Sequence, residues 1–107
     1  MSFQVKVTPG AANDLDEILT WIRENDSDHA ARQVFNNLVK SIESLAKFPH
    51  RGRPARELAE WGAPGYREIR YASFRILYHV EGDTVFVRFI VHERRDLLDL
   101  LERRLLE

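Results

Sequence analysis

The residues able to do chemistry in this chain gather late: Arg75 and Arg88 lie inside two strongly apolar stretches, and His92-Glu93-Arg94-Arg95 follows the second of them directly. A guanidinium grips phosphate or carboxylate through two parallel hydrogen bonds, and an imidazole beside it can move a proton near neutral pH. By residue type, the set Arg75, Arg88, His92 and Arg94 fits three kinds of work: holding a phosphate, assisting phosphodiester chemistry, or receiving an acidic peptide. A fourth reading is structural, with Glu68, Glu93 and Asp96 neutralising these arginines as ion pairs. Other chemistry has no support. The histidines His29, His50, His79 and His92 are scattered singly, so no metal motif forms, and no cofactor is expected. There is no cysteine, and GxGxxG, Walker and GxSxG patterns are absent, which removes nucleotide hydrolysis and acyl transfer.

The elements that must position these residues begin with the stretch Tyr66 to Arg95, which reads as three successive strands. Phe74 to Val80 and Val85 to Val91 are rich in β-branched and aromatic residues, and Glu81-Gly82-Asp83 supplies the turn of a hairpin. A two-residue loop at Gly82-Asp83 pairs Val80 with Val85, Tyr78 with Val87, Ile76 with Phe89 and Phe74 with Val91, an entirely apolar face. The other face pairs His79 with Phe86, Leu77 with Arg88 and Arg75 with Ile90. The expectation is therefore one core face and one open, half-apolar face carrying function.

Ahead of the sheet, Phe3, Val5 and Val7 alternate with polar residues as a first strand facing the core. Thr8-Pro9 reads as the N-cap and first residue of a helix running to about Asn25, with Leu15, Ile18, Leu19 and Ile22 on its apolar side. Trp21 is expected to be partly buried between helices or against the loop. After the break Asn25-Asp26-Ser27-Asp28, a second helix carries the stripe Ala31, Val34, Phe35, Leu38, Ile42, Leu45 and Ala46, and Pro49 ends it. The short connection makes the two helices an antiparallel hairpin covering one sheet face. His50 to Arg56 is a basic loop, Glu57 to Trp61 a short helical turn, and Gly62-Ala63-Pro64-Gly65 a stop before the second strand. Asp96 to Leu106 forms a short C-terminal helix with Leu97, Leu100 and Leu101 on one face.

Composition sets the frame. One domain, 1–107, is long enough to bury about 65% of the surface its unfolded chain exposes. No signal-peptide organisation or membrane-length apolar run is seen, so a cytoplasmic protein with no membrane contact is expected. The net charge of −1 conceals segregation: residues 48–75 carry six Lys/Arg against three Asp/Glu, whereas the segments on either side each carry five against seven. Thirteen of the sixteen cations are arginine, so the basic middle is suited to anions that accept bidentate contacts.

Taken in order, strand, helical hairpin, basic loop and hairpin sheet resemble the ParE/RelE toxin superfamily of type II toxin–antitoxin systems, and within it the ParE, or plasmid-stabilisation, branch. The resemblance spans nearly the whole chain and is carried by Phe48-Pro49 with Gly52-Arg53-Pro54, Tyr66-Arg67-Glu68, Phe74-Arg75-Ile76-Leu77-Tyr78, and His92 followed by Arg94-Arg95-Asp96. It implies an α+β fold: an N-terminal strand, an antiparallel helical hairpin packed on an antiparallel sheet of about four strands, and a short C-terminal helix. It also implies a hetero-oligomer with a cognate ParD-like antitoxin, acidic and partly disordered. RelE-like members are ribosome-dependent messenger-RNA endonucleases that use basic side chains on the sheet with a tyrosine near the C-terminus or a Glu/His set. Arg75 and Arg94 fall where two such arginines are wanted, but the last tyrosine is Tyr78, Ile69 replaces a second basic strand residue, and Lys6, Lys40 and Lys47 lie outside the hairpin. ParE-like members, which inhibit DNA gyrase by binding, fit better. The expected toxin thus has no catalytic residues, with a nuclease using Arg75, Arg88, His92 and Arg94 as the alternative. Target or antitoxin contacts are expected at Arg53, Arg56, Arg75, His92, Arg94 and Arg95, with Arg75 anchoring the functional face and the helical hairpin as the main docking surface.

Overall fold

Thr8 joins two elements with one hydroxyl, which accepts from the Ala11 N–H at 3.3 Å and donates to the Val87 carbonyl at 3.1 Å. Pro9 takes the first helical position, where a missing N–H costs nothing. Strand β1 (Gln4–Val7) thereby gives way at once to helix α1 (Pro9–Asn25). Ser27 repeats the device at 3.0 Å from the Ala30 N–H and starts α2 (Asp28–Glu43), which a 3₁₀ turn (Ser44–Ala46) extends. The remaining elements are β2 (Arg53–Pro54), α3 (Arg56–Glu60), β3 (Arg67–Tyr71), β4 (Phe74–Glu81), β5 (Thr84–His92) and α4 (Leu97–Leu106). The computed structural model describes residues 2–93 and 97–106.

The five strands form one sheet in the order β1-β5-β4-β3-β2, antiparallel except for β1, which runs parallel to β5. The strand beyond those expected is β2, within the stretch read as loop: Arg53 pairs with Glu68 and Pro54 with Arg67 at the sheet edge, where proline is tolerated. The β4–β5 register follows expectation from Val80–Val85 to Tyr78–Val87 and then slips by one, so that Leu77 meets Phe89, Ile76 meets Ile90 and Arg75 meets Val91. Arg88 is the extra residue of a β-bulge. Because side chains alternate along a strand, that single insertion turns Phe89 and Val91 away from the helical hairpin and turns Ile90 and His92 toward it.

The sheet therefore has two apolar faces. On one, Leu19, Ile22, Leu38, Ile42 and Leu45 of the helical hairpin meet Ile69, Ile76, Tyr78, Val85, Val87 and Ile90. On the other, Leu77, Phe89 and Val91 are covered by Ala55, Leu58, Leu97, Leu100 and Leu101. The expectation of an open functional face is thus corrected: α3 and α4 close it. Three side chains also depart from their expected burial. Val7 at the end of β1 is 42% exposed, Phe35 is 40% exposed, and Trp21 is 64% exposed rather than partly buried. No helix among the described residues is long and apolar enough to cross a membrane.

Gly52 shows why the basic segment is held close to the sheet. Its N–H donates to the hydroxyl of the fully buried Tyr78 at 3.0 Å. A Cβ there would stand 2.6 Å from that hydroxyl and 2.7 Å from the Glu68 carbonyl oxygen. Gly52→Ala is accordingly expected to push the 50–56 segment off the sheet at a cost of about 1–3 kcal/mol. A urea-unfolding midpoint equal to that of the parent would contradict this.

Candidate functional site

Arg75 is buried at 7% exposure, and each of its three guanidinium nitrogens has a carboxylate partner. Its Nε donates to Glu68 Oε2 at 2.5 Å, while Nη1 and Nη2 donate to the two oxygens of Glu57, each at 2.8 Å. Glu68, on the neighbouring strand, also receives Arg53 Nε at 3.1 Å. The result is a chain Glu57–Arg75–Glu68–Arg53 that ties α3, the edge strand β2 and its neighbour β3 to the centre of the second face. Arg75 holds the Glu57 carboxyl below its ordinary range, and Glu57 in turn, with Glu68, raises the Arg75 pKa against the effect of burial. With two carboxylates on one guanidinium, Arg75 serves packing in this arrangement and presents no free donor edge to solvent.

The basic segment divides in the same way. Arg51 donates through Nε and Nη2 to Ser44 Oγ at 3.1 and 2.9 Å. Arg67 Nη1 bonds the carbonyl oxygens of Gly52 and His50 at 2.7 and 3.3 Å. These contacts bind the loop to the helical hairpin and to β3. Arg53 keeps most of its side chain in water despite its bond to Glu68, and Arg56, at the start of α3, is exposed with no ion-pair partner among the described residues. Arg53 and Arg56 are therefore cations of this segment that a partner can reach without breaking a bond between the loop and the helical hairpin.

Arg88 stands at the other end of the second face. Its Nε donates to His79 Nε2 at 3.2 Å, and His79 stacks on Phe86 at 5.3 Å and meets Tyr66 edge-on at 5.0 Å. Burial and then the Arg88 charge hold His79 below its ordinary 6.5, against the opposing pull of Glu81, 3.5 Å from Nδ1. The unfolded chain therefore takes up this proton first. Stability from His79 is complete above about pH 6.5 and falls as pH drops below it. The thermal midpoint should decline between pH 7 and 5.5, and His79→Gln should flatten that slope; an unchanged slope in the variant would contradict the assignment.

The bulge also fastens α4 to α1. Beyond Val87 no strand pairs with the outer side of β5 among the described residues, because β1 has turned into α1. Side chains take over there: the Ile90 N–H donates to Asp14 Oδ2 at 3.1 Å, and Arg104 Nη1 donates to the Arg88 carbonyl at 3.2 Å. Arg104 also pairs with Asp14 Oδ1, donates to the Gly10 carbonyl at 3.2 Å and lies over the Phe89 ring at 4.9 Å. Next to this clamp, a groove of about 550 Å³ opens between α1 and the ends of β4 and β5, with Ile18, Trp21, Phe74 and His92 in its walls. The His92 ring meets Phe74 edge-on at 5.4 Å.

The expected site residues are thus dispersed. Arg75 is interior on the second face, Arg88 is four strand positions' rise away beside His79, roughly 13 Å, and His92 lies on the opposite face. Arg94 and Arg95 lie outside the described residues. Among the described residues, no group of three His, Asp or Glu is placed to hold a metal. Nothing in local spacing marks Glu57, Asp14 or Arg104 as organising residues, because the partner of each lies on an element distant in sequence.

Comparison with known proteins places this geometry. The family model described as "ParE toxin of type II toxin-antitoxin system, parDE" matches residues 5–97. Toxin ParE1 of Mycobacterium tuberculosis is 30% identical over 98 residues, covering 91% of this chain and 96% of that one. Toxin RelE1 of Caulobacter vibrioides is 31% identical over 96 residues, 86% and 95% of the respective chains. Among solved structures, the chromosomal ParDE toxin–antitoxin system from P. aeruginosa superposes with a TM-score of 0.71 at 22% identity, covering 85% of this chain and 96% of the other.

Proposed function

Because the chain belongs to the ParE toxin family of type II toxin–antitoxin systems, we propose that it inhibits DNA gyrase by binding it and that an antitoxin encoded beside it blocks the binding surface. The observation that carries the binding mode over catalysis is the separation of Arg75, Arg88 and His92. A nuclease must bring its phosphate-holding and proton-transferring groups within hydrogen-bond reach of one substrate. Here one is neutralised by two carboxylates, one is bonded to an imidazole, and one is on the far face. A ribosome-dependent endonuclease remains the second reading, favoured by the 31% identity to a relative named Toxin RelE1.

The antitoxin is a polypeptide with acidic and apolar segments that order on binding. Its carboxylates meet Arg53 and Arg56, with Arg94 and Arg95 as further candidates, and its apolar anchors lie along the helical hairpin, where Phe35 and Trp21 are exposed. Complementary charge accelerates encounter, whereas buried apolar area sustains affinity at high salt. Inducible expression without antitoxin separates the two activities. Gyrase inhibition produces a DNA-damage response with filamentation; abrupt arrest of translation instead would overturn the gyrase assignment.

A further inference from the structure

Trp21, the largest type of apolar side chain, stands 64% exposed on the flank of α1 beside the 550 Å³ groove. Glu17 lies four residues before it and Glu24 three residues after, both exposed, so helix geometry places one carboxylate a turn to either side of the indole. Neither has an ion-pair partner among the described residues; Glu17 accepts only a 3.4 Å bond from Asn13. Asp14, the next carboxylate of the stripe, is already occupied by Ile90 and Arg104. Arg23, the nearest cation in sequence, faces a different depression, shared with Arg32 and Phe35. The last turn of α1, ending at Asn25, adds the negative end of the helix dipole.

An indole face between two unpaired carboxylates recognises a cation, because ring quadrupole, charge and helix end all act in the same sense. The groove next to it, walled by Ile18, Phe74 and Ile90, recognises an apolar side chain. Resting on the toxin–antitoxin reading, we infer that this flank of α1 docks a segment of the antitoxin in which a lysine or arginine adjoins an apolar anchor. The anchor fills the groove, and the cation lies over Trp21 between Glu17 and Glu24. The antitoxin thus needs charges of both signs at separate places: acidic where it meets Arg53 and Arg56, basic where it meets α1.

The test uses the full chain with Trp61→Phe, leaving Trp21 as the sole tryptophan, titrated with the antitoxin encoded beside it and freed of tryptophan by Trp→Phe. Trp21 emission should shift to the blue and resist acrylamide quenching. Trp21→Ala, and separately Glu17→Lys with Glu24→Lys, should each weaken binding about tenfold or more without altering the circular dichroism. A lysine- or arginine-to-glutamate change in the antitoxin segment should restore binding to the Glu17→Lys, Glu24→Lys chain. A complex that forms with solvent-like Trp21 emission, and with affinity within about twofold in both variants, would overturn the site while leaving the toxin–antitoxin pairing intact. Absence of any complex would overturn the pairing, and the site with it.

Discussion

Arg75→Ala is expected to lower the stability of the fold by about 3–5 kcal/mol, because it removes the cation from between two carboxylates, one of which, Glu68, is buried. Glu57 and Glu68 would face each other across the vacated space, and the bridge from α3 to the sheet would be lost. For a domain of this size the thermal midpoint should fall by more than about 10 °C. The attraction alone is not the source of the cost, since desolvating the ions offsets much of it. Replacing Arg75, Glu57 and Glu68 together by Met, Gln and Leu should therefore recover most of the loss. A single alanine variant that unfolds within about 0.5 kcal/mol of the parent, yet has lost toxicity, would contradict this and return Arg75 to the role of surface anchor.

Asp14→Ala should cost about 3 kcal/mol for a different reason. The Ile90 N–H is buried next to the bulge, past the last β1–β5 pair at Val7 and Val87, and Asp14 is its acceptor; the same carboxylate holds Arg104 of α4. Without it, the Ile90 N–H loses its acceptor and Arg104 keeps its carbonyl partners but loses its counter-ion, which weakens the tie between α4 and α1. Hydrogen exchange should then rise at Ile90 and along α4 before it rises in β4. Exchange confined to α1, with α4 as protected as before, would show that the clamp is unimportant and that Leu97, Leu100 and Leu101 hold the helix by packing alone.

Elements set by local chemistry were legible in the chain. Thr8 followed by Pro9 declares a helix start because capping and proline geometry operate within a few residues, and α1 begins where they place it and ends at Asn25, at the polar break Asn25-Asp26-Ser27-Asp28. The toxin family was legible from motif order across nearly the whole sequence. The β4–β5 register was legible only as far as the bulge. Arg88 drops out of pairing where Ile90 gains a carboxylate from seventy-six positions away, and no hairpin rule reports such a partner. That one-residue slip also explains why the second face is covered and not open, since Phe89 and Val91 join Leu77 there and form an apolar floor for α4. Arg75 reads in sequence as an arginine in a hydrophobic strand, a pattern shared by functional and structural cations. What decides between them is Glu57, brought to it by a five-residue helix that local pattern places only loosely.

The most direct measurement is DNA supercoiling by purified gyrase in the presence of this protein, with and without the antitoxin encoded beside it. Stoichiometric loss of supercoiling, reversed by the antitoxin and undiminished in Arg88→Ala, is the expected result. Undisturbed gyrase, together with cleavage of ribosome-bound message that depends on His92 or Arg88, would contradict it.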